Sequence, residues 1–397
     1  MSQRKKIAII GTVGVPANYG GFETLAEQLI EELGQHHHIT VYCSGKKYPK
    51  KDRKQIYKGA ELKYLPLDAN GIQSIPYDTL SIIHSLFYAD VLLILGVAGA
   101  WILPFVRWFT NKKIIISIDG IEWKRDKWNF LAKGYLFWAE SLAVKYSHID
   151  ISDNEAIQDY TAARYGSLSR IIEYGSDHTL KVNASTETKI KYPFLSRPYA
   201  FKVCRIEPEN NVQLILEAFA STDKMPLVIV GNWGKSLYGT ALKEKYTSHP
   251  NIYILDPVYD QKKLDELRSN AALYVHGHSA GGTNPSLVEA MYLGLSVLAN
   301  NVSYNRVTTE NKALYFDGKE SLISQINNLY TAKLIKIGNE MKEIAQRRYT
   351  WSTIAKKYFL LIEEVLVTQR KSPVWSETST VAYQKLLQKN LAHLKTN

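Results

Sequence analysis

Several features that would fix the function of a chain are missing from this sequence. It has only two cysteines in 397 residues, Cys43 and Cys204, which are far apart and form no CxxC pattern. The sequence therefore predicts neither a disulfide framework nor a cysteine-based zinc site, and it fits a reducing compartment. The P-loop and H-E-x-x-H motifs are also missing, as is the D-x-D motif with which many enzymes hold a diphosphate through a divalent cation. No metal site is predicted.

Long hydrophobic runs are scarce as well. The most apolar uncharged stretch runs from residue 91 to 106 and is interrupted by Gly96, Gly99 and Pro104. It is shorter than the roughly 20 apolar residues of a membrane-spanning helix. The N-terminal segment, MSQRKKIAIIGTVG, lacks the form of a signal peptide. We therefore predict no transmembrane segment, and any membrane attachment should be peripheral.

The formal net charge of +11 narrows the kinds of partner. It favours nucleic acid, a phosphate-bearing ligand or an acidic membrane face. The lysines are scattered and no nucleic-acid-binding motif occurs, so nucleic acid is not a predicted partner.

The start of the chain has the pattern of a parallel α/β unit. A short apolar strand at residues 6–10 leads into a glycine-rich turn at 11–21, an amphipathic helix at 22–33 and a second strand at 38–43. Strands and helices that alternate in this way usually form a parallel sheet.

The same alternation continues through two domains. We predict a Rossmann-like domain over residues 1–178 and a second one over 199–350. Residues 179–198 lack clear periodicity and are predicted to be the linker. A C-terminal helical segment covers residues 351–397, in which 351–367 is strongly amphipathic and the tail forms another helix or frays.

The glycine turn is the first candidate for ligand binding. Glycines let a backbone approach a ligand closely, and the helix that follows offers unpaired N–H groups to an anion. The spacing differs from the G-x-G-x-x-G of dinucleotide binders. A tight turn without a ligand is equally compatible with the pattern.

The second candidate is an arginine just beyond a strand, in Val-Cys-Arg-Ile-Glu-Pro-Glu-Asn-Asn. Arg205 follows the first strand of the second domain, where α/β proteins place their ligands. Its planar guanidinium suits phosphate oxygens. The alternative is an ordinary surface salt bridge.

The third candidate is the most specific, the segment Val-His-Gly-His-Ser-Ala-Gly-Gly-Thr-Asn-Pro-Ser-Leu-Val-Glu-Ala-Met. A strand passes into a glycine-rich loop and then into a helix that opens near Pro285, whose free N–H groups can hold a phosphate. Glu289 lies one turn into this helix, within reach of ribose hydroxyls. His276 and His278 have no third metal ligand nearby, so we interpret them as part of a satisfied polar loop.

These motifs together resemble glycosyltransferase family 4. Four segments carry a closer resemblance to a bacterial subgroup that includes rhamnosyltransferases of capsule and cell-wall polysaccharide assembly. They are GVPANYGGFET, DGIEWKR, RIEPENN and HGHSAGGTNPS. They occur in the same order as in that subgroup, and the resemblance spans roughly residues 5–365.

The resemblance implies a GT-B fold, in which two Rossmann-like domains face each other across a cleft and C-terminal helices pack back toward the N-terminal domain. It also implies that the anomeric configuration is retained. An arginine at the position of Arg205 neutralises the diphosphate, and a glutamate at Glu289 binds the ribose. The implied catalytic residues are Arg205, Glu289 and Asp119, and the implied donor-binding residues are Gly20, Gly21, Asn210, Gly281, Gly282, Thr283, Asn284, Ser286, Leu287 and Glu289.

Three positions depart from the family pattern. Asn210 stands where a lysine is common, and Gly281 replaces the first glutamate of Glu-x7-Glu. Asp119 stands where the family often has a histidine near the 6-hydroxyl of the sugar. A 6-deoxy sugar lacks that hydroxyl, so the three departures agree with dTDP-L-rhamnose as donor.

The resulting prediction is a retaining glycosyltransferase that needs no metal and no cofactor besides its nucleotide-sugar substrate. The predicted acceptor is a lipid-linked saccharide of bacterial surface polysaccharide synthesis. Another UDP- or GDP-sugar remains an alternative donor. A nucleotide-sugar epimerase is an alternative enzyme, although no convincing pair of acid and base carboxylates is present.

The segment at residues 123–138 bears on location. Basic and aromatic residues alternate there, as they do where proteins contact anionic lipid. An ordinary helix with a solvated basic face is equally compatible with the pattern. The corresponding prediction is a cytoplasmic protein, peripheral at the inner face of the cell membrane.

Overall fold

The computed structural model divides into two compact α/β units. Unit 1 comprises Met1–Tyr174 and Trp351–Asn397, and unit 2 comprises Gly175–Thr350. Each contains a largely parallel sheet with helices, as in Rossmann-like domains, so the predicted fold class is confirmed. The residues described are 4–17, 20–118, 120–124, 128–369 and 371.

Unit 1 is built on an eight-stranded sheet of order β3-β4-β2-β1-β5-β6-β7-β8. All neighbours pair in parallel except β3 and β4. The central strands are almost wholly apolar because helices cover both faces of a parallel sheet. The strands are β1 Lys6–Ile10, β2 His38–Ser44, β3 Ile56–Tyr57, β4 Ala60–Leu65, β5 Val91–Leu95, β6 Lys113–Ile118, β7 Ile149–Ser152 and β8 Arg170–Ile171. The helices before the crossing into unit 2 are α1 Gly21–Leu33, α2 Ser74–Ser85, α3 Leu103–Phe109, α4 Phe130–Tyr146 and α5 Glu155–Tyr165.

Unit 2 is built on a six-stranded parallel sheet of order β11-β10-β9-β12-β13-β14. Its strands are β9 Ala200–Val203, β10 Leu227–Val230, β11 Ile252–Leu255, β12 Leu273–His276, β13 Ser296–Asn300 and β14 Leu314–Phe316. Its helices are α6 Thr186–Lys191, α7 Val212–Phe219, α8 Leu237–Tyr246, α9 Gln261–Arg268, α10 Pro285–Tyr292, α11 Ser303–Thr308, α12 Lys319–Asn327 and α13 Thr331–Arg348.

The two faces of the unit 2 sheet carry separate apolar clusters. Phe201 and Tyr274 belong to the face that α10 and α13 cover, whereas Ala200 and Val275 belong to the face that α7 and α12 cover. This division follows from the alternation of side chains along a strand. The carboxyl ends of the strands are left to carry the loops of the candidate site.

The last described helix, α14 at Trp351–Val367, returns to unit 1. Ile354, Leu361 and Ile362 are buried in the same apolar cluster as residues of α1, such as Leu29. A C-terminal helix that packs back on the N-terminal domain was predicted. The tail helix predicted from the sequence falls in residues 372–397, which lie outside the described residues.

Two features differ from the sequence interpretation. The segment 179–198, expected to be a linker, belongs to unit 2, where it forms α6 and buries Phe194. Ser185 caps α6 by accepting a hydrogen bond from Thr188 N. The helix has only six residues, which is too short for a hydrophobic period to be visible in the sequence. The elements α11, β14, α12 and α13 were not predicted.

Candidate functional site: the switch point of the unit 2 sheet

The strand order of unit 2 creates a topological switch point. From β9 the chain proceeds to β10 on one side, and it later places β12 on the other side of β9. The loops that leave β9 and β12 therefore diverge to opposite faces of the sheet. Ligands of open α/β sheets bind at such points, beyond the carboxyl ends of the strands.

Hydrogen bonds tie the two loops together at this point. Ser279, in the loop after β12, donates from its backbone N at 2.8 Å and from its Oγ at 2.9 Å to the carbonyl oxygen of Glu209, in the loop after β9. Asn211 Nδ2 donates to the Gly277 carbonyl at 2.8 Å. The structure thus brings together two of the three motifs singled out from sequence.

Arg205 lies in the first of these loops with its charge largely available. Its side chain is 35% exposed, and its Nε is 3.8 Å from Glu207 Oε2, which is a loose ion pair. The following residue, Ile206, donates its N–H to Asn232 Oδ1 at 3.0 Å and so anchors the loop to the end of β10. The guanidinium is therefore held near the switch point without a tight counter-ion.

The side chain of Asn210 points into the loop rather than toward a ligand. Its side chain is buried, and its Nδ2 donates to the Arg205 carbonyl oxygen at 2.7 Å. This amide therefore positions the backbone of Arg205. Its predicted contact with the donor stays a prediction.

The loop after β12 leads to an open helix N-terminus. Gly281 has φ of +127°, a conformation that favours glycine, and open space lies where a side chain would be. Gly282 and the buried Thr283 continue this loop into Asn284, the N-cap of α10. Within residues 128–369, all of which are described, no side chain caps α10.

The first turn of α10 presents backbone rather than side chains. Ser286 Oγ donates to Asn284 Oδ1 at 3.0 Å, and the Leu287 side chain is fully buried. A helix N-terminus carries a partial positive charge and unpaired N–H groups. Together with Arg205 in the adjoining loop, this turn can bind an anion such as a phosphate.

Glu289 is held by two basic partners inside unit 2. Arg268 Nη1 donates to its Oε2, and His178 Nε2 donates to its Oε1 at 3.1 Å. Arg268 is fully buried and also pairs with Asp265 at 2.8 Å. Burial acts to raise the pKa of Glu289, but Arg268 and then His178 outweigh it and bring the pKa to about 2.

The ionised Glu289 keeps some accessibility, since its side chain is 16% exposed. Each carboxylate oxygen can accept more than one hydrogen bond. The group can therefore still accept hydrogen bonds from the hydroxyls of a sugar. Arg268 and His178 were not predicted: the burial of an arginine on a polar-looking helix such as α9 leaves no signal in the sequence.

The histidines at the end of β12 and in the loop after it, His276 and His278, form a stack. The ring centroids of His276 and His278 are 4.4 Å apart, and those of Tyr274 and His276 are 6.0 Å apart. Both ring nitrogens of the buried His276 have no hydrogen-bond partner among the described residues. The interpretation of a satisfied polar loop is therefore wrong for His276. Among these residues no group of three His, Cys, Asp or Glu is placed to hold a metal ion.

The predicted glycine turn lies in unit 1. Gly20 precedes α1 with φ of +131°, and a side chain there would collide with the Glu23 carboxylate. That buried carboxylate accepts hydrogen bonds from Val13 N at 2.7 Å and Thr12 Oγ1 at 3.1 Å. Gly21 is the first residue of α1. Two hydrogen-bond donors of the glycine turn, Val13 N and Thr12 Oγ1, are therefore already used by Glu23.

The remaining predicted catalytic residue, Asp119, lies outside the described residues. No helix that the structure describes has both the length and the apolar character needed to cross a membrane.

Comparisons with known proteins agree with this geometry. Residues 185–348 match the family Glycosyl transferases group 1, and residues 4–177 match the family described as Domain of unknown function (DUF1972). No curated protein matches the chain in sequence.

Solved structures show the fold. Sucrose-phosphate synthase (tll1590) from Thermosynechococcus elongatus superposes with a TM-score of 0.78 at 17% identity, covering 91% of this chain and 99% of that chain. Anabaena Alr3699/HepE, crystallised with UDP, gives 0.68 at 15% identity, covering 91% of this chain and 100% of that chain. The catalytic domain of Starch Synthase IV from Arabidopsis thaliana, bound to ADP and acarbose, gives 0.67 at 13% identity, covering 92% and 100%. The chain thus has the GT-B fold, and the match of residues 185–348 to Glycosyl transferases group 1 supports glycosyl transfer as its reaction class.

Proposed function

We propose that the protein is a retaining, metal-independent glycosyltransferase of family 4 that takes its sugar from a nucleoside-diphosphate donor bound at the switch point of unit 2. The observation that carries the proposal is that hydrogen bonds join the loop that carries Arg205 to the loop that leads into the uncapped N-terminus of α10. Both features favour a dianionic leaving group. A nucleotide donor is further supported by the UDP, UDP-glucose and ADP found with structures of the same fold.

Departure of the nucleoside diphosphate builds negative charge, so preorganised positive groups lower the barrier. In the proposed mechanism Arg205 and the backbone N–H groups at Ser286 and Leu287 stabilise that charge. The departing phosphate then accepts the proton of the acceptor hydroxyl. Glu289, held ionised by Arg268, accepts hydrogen bonds from the ribose.

Our best candidate for the donor is dTDP-L-rhamnose. Its support is the resemblance described above, together with Gly281, which has no side chain to contact a sugar, and Asp119 at a position near the sugar's 6-hydroxyl in the family. Gly20 and Gly21 keep the donor-side role that the resemblance implies. Another nucleotide sugar would leave the fold and the reaction class unchanged.

The proposed acceptor is a lipid-linked saccharide at the inner face of the cell membrane. Its support is a surface of unit 1 that we call the apolar face, formed by exposed residues of α2–α4 and the turn before α3. These residues are Leu80, Trp101, Phe105, Trp108, Phe109, Phe130, Leu131 and Trp138. Solvent-exposed aromatic residues in such a group are typical of membrane and partner contacts.

The charges around the apolar face fit an anionic lipid surface. The only acidic residues of α2, α3 and α4 are Asp78 and Glu140, and both are buried. The same helices contribute the basic residues Arg107, Lys133 and Lys145. A groove of about 520 Å³ between α2 and α4, lined by Trp101, Tyr135 and Trp138 among others, is wide enough for part of a hydrocarbon chain.

The test is a turnover assay with purified protein, dTDP-L-rhamnose and membrane lipid extract as acceptor source. We expect release of dTDP that depends on the extract, persists with a chelator of divalent cations, and transfers rhamnose to lipid. Release without any acceptor product, or conversion of the sugar to an epimer, would contradict the transferase. Turnover with UDP- or GDP-sugars only would contradict dTDP-L-rhamnose as the donor and leave the transferase assignment in place.

A further inference from the structure

A lysine lies inside unit 2 in a largely apolar sheet. Lys202, in β9, is 0% exposed and faces the same side as Ala200 and Ile229, which belong to the apolar cluster there. In the part of the chain that the structure describes, its Nζ has no oxygen or nitrogen partner, and only the Cys204 thiol lies beside it as a weak acceptor. An unpaired buried amine is costly, so its presence calls for a ligand or a function.

The amine lies directly below the switch point. A Cβ atom placed on Gly277 would lie 3.2 Å from Lys202 Nζ. The same Cβ position would lie 2.4 Å from the Asn210 carbonyl oxygen. Gly277 is the first residue after β12, and Asn210 lies in the loop after β9. Lys202 therefore reaches the place where the two loops of the donor site meet, and glycine at position 277 is required there by the close Asn210 carbonyl oxygen.

A second unpaired group lies at the end of the neighbouring strand. The two buried ring nitrogens of His276 lack partners, as described above, and this side chain leaves the sheet on the opposite face from Lys202. The switch point thus has unused hydrogen-bonding capacity on both sides. Such capacity is the mark of a binding site rather than of a core.

The groups around Lys202 provide no counter-ion. Burial lowers the pKa of Lys202, which contact with Cys204 partly offsets. Burial raises the pKa of the Cys204 thiol, so it stays uncharged at neutral pH. Burial lowers the pKa of His276 far below its usual range, and nearby Lys202 acts in the same direction. Arg205 and Glu207, the charged groups of the adjacent loop, act on Cys204 with opposite signs.

We propose that Lys202 is a second cation of the donor site: when a nucleoside diphosphate enters, its ammonium group neutralises a phosphate from the sheet side, opposite Arg205. The proposal rests on the proposed function, because it assigns part of the charge that holds the same diphosphate. It also explains how the site manages without a basic side chain at Asn210, whose amide is engaged with the Arg205 carbonyl.

The test compares wild type with Lys202→Met, which keeps the length of the side chain and removes the amine. We expect opposite effects on stability and binding. The variant should unfold at a higher urea concentration, because an unpaired amine no longer has to be buried. Its affinity for dTDP and UDP should fall by about 30-fold or more, as expected for loss of a buried charge contact.

The matched control is Lys262→Met, which removes one positive charge from an exposed position on α9 of the same unit. It should change neither stability nor affinity. Calorimetry measures the affinity of each protein for dTDP, UDP and pyrophosphate.

The outcomes separate this inference from the proposed function. Unchanged affinity in Lys202→Met overturns the inference and leaves the donor site intact. A less stable Lys202→Met assigns the lysine to the fold and also overturns it. Failure of wild type to bind dTDP, UDP or pyrophosphate overturns the proposed donor site and the inference with it.

Discussion

Glu289 depends on a fully buried arginine for its charge state. Arg268 is paired with Glu289 and Asp265, and removing one partner of a buried pair leaves an uncompensated charge that costs about 3–5 kcal/mol. Glu289→Ala would therefore perturb the fold as well as any contact with ribose. Glu289→Gln keeps the shape and the hydrogen-bonding oxygen, so it is the better substitution for testing the site.

The lowered pKa of Glu289 predicts a specific dependence of stability on pH. Because the pKa falls from an ordinary 4.5 to about 2 on folding, its contribution is complete above pH 4.5 and is lost as the pH falls toward 2. Glu289→Gln should be less stable than wild type near neutral pH, by on the order of 3 kcal/mol. Urea unfolding at a series of pH values should show the gap closing in acid. A difference in the free energy of unfolding that stays constant with pH would contradict an ionised Glu289 with a lowered pKa.

Arg205 gives the clearest catalytic prediction at this scale. Its contact with Glu207 is loose, so Arg205→Ala should leave the free energy of unfolding almost unchanged. Turnover should fall on the order of 100-fold or more, as for other losses of a key group that stabilises developing charge. Initial rates and urea unfolding measured on the same preparations check both statements. A rate near that of wild type would remove Arg205 from the mechanism.

The sequence predicts site residues best where position in the chain decides their place. Arg205 follows a strand, and Ser286 opens a helix after another strand, so parallel topology brings them together. Arg268 and His178 act through tertiary contacts that no local pattern shows. Lys202 did leave a signal, since a charged residue inside a buried strand is rare, but the sequence does not show that it lacks a partner.

At the scale of elements, α14 completes the core of unit 1 rather than forming a separate segment. Its buried residues share one apolar cluster with α1. The sequence showed that 351–367 is amphipathic, and only the resemblance indicated where it packs. The short elements β14 and α6 were missed because three or six residues are too few to establish a period.

This packing predicts the effect of trimming α14. Ile362 is fully buried, so Ile362→Ala should destabilise unit 1 by about 2–4 kcal/mol through lost contacts and a cavity. The control on the same helix is Leu360→Ala, because Leu360 is 57% exposed and should cost less than about 0.5 kcal/mol. Urea unfolding measures both. Equal losses would mean that α14 does not bury this face.

At the scale of the whole molecule, the apolar face makes membrane binding measurable. Wild type should bind anionic vesicles, and binding should weaken as salt screens the lysines and arginines. A double variant, Trp108→Ser with Phe109→Ser, removes two side chains that are 64% and 78% exposed. Its affinity should fall on the order of tenfold or more, because aromatic area no longer enters the lipid.

The control for this experiment is Tyr259→Ser, which removes an exposed aromatic residue of unit 2. It should bind vesicles as wild type does. Equal binding by the double variant would assign the apolar face to another partner. The same exposed residues would then point to a second copy of the chain if sedimentation shows the double variant to be smaller than wild type.

The central claim is that unit 2 binds a nucleoside-diphosphate sugar at its switch point, and a thermal-shift screen tests it most directly. The ligands are dTDP-L-rhamnose, UDP-glucose, UDP-N-acetylglucosamine, GDP-mannose and the free diphosphates, each with wild type and Arg205→Ala. A ligand at 100 times its Kd stabilises the folded state by about 2.7 kcal/mol, which is readily seen as a rise in Tm. The account predicts a selective rise with dTDP-L-rhamnose and dTDP that Arg205→Ala largely abolishes. No rise with any of these ligands, or a rise that Arg205→Ala leaves unchanged, would contradict it.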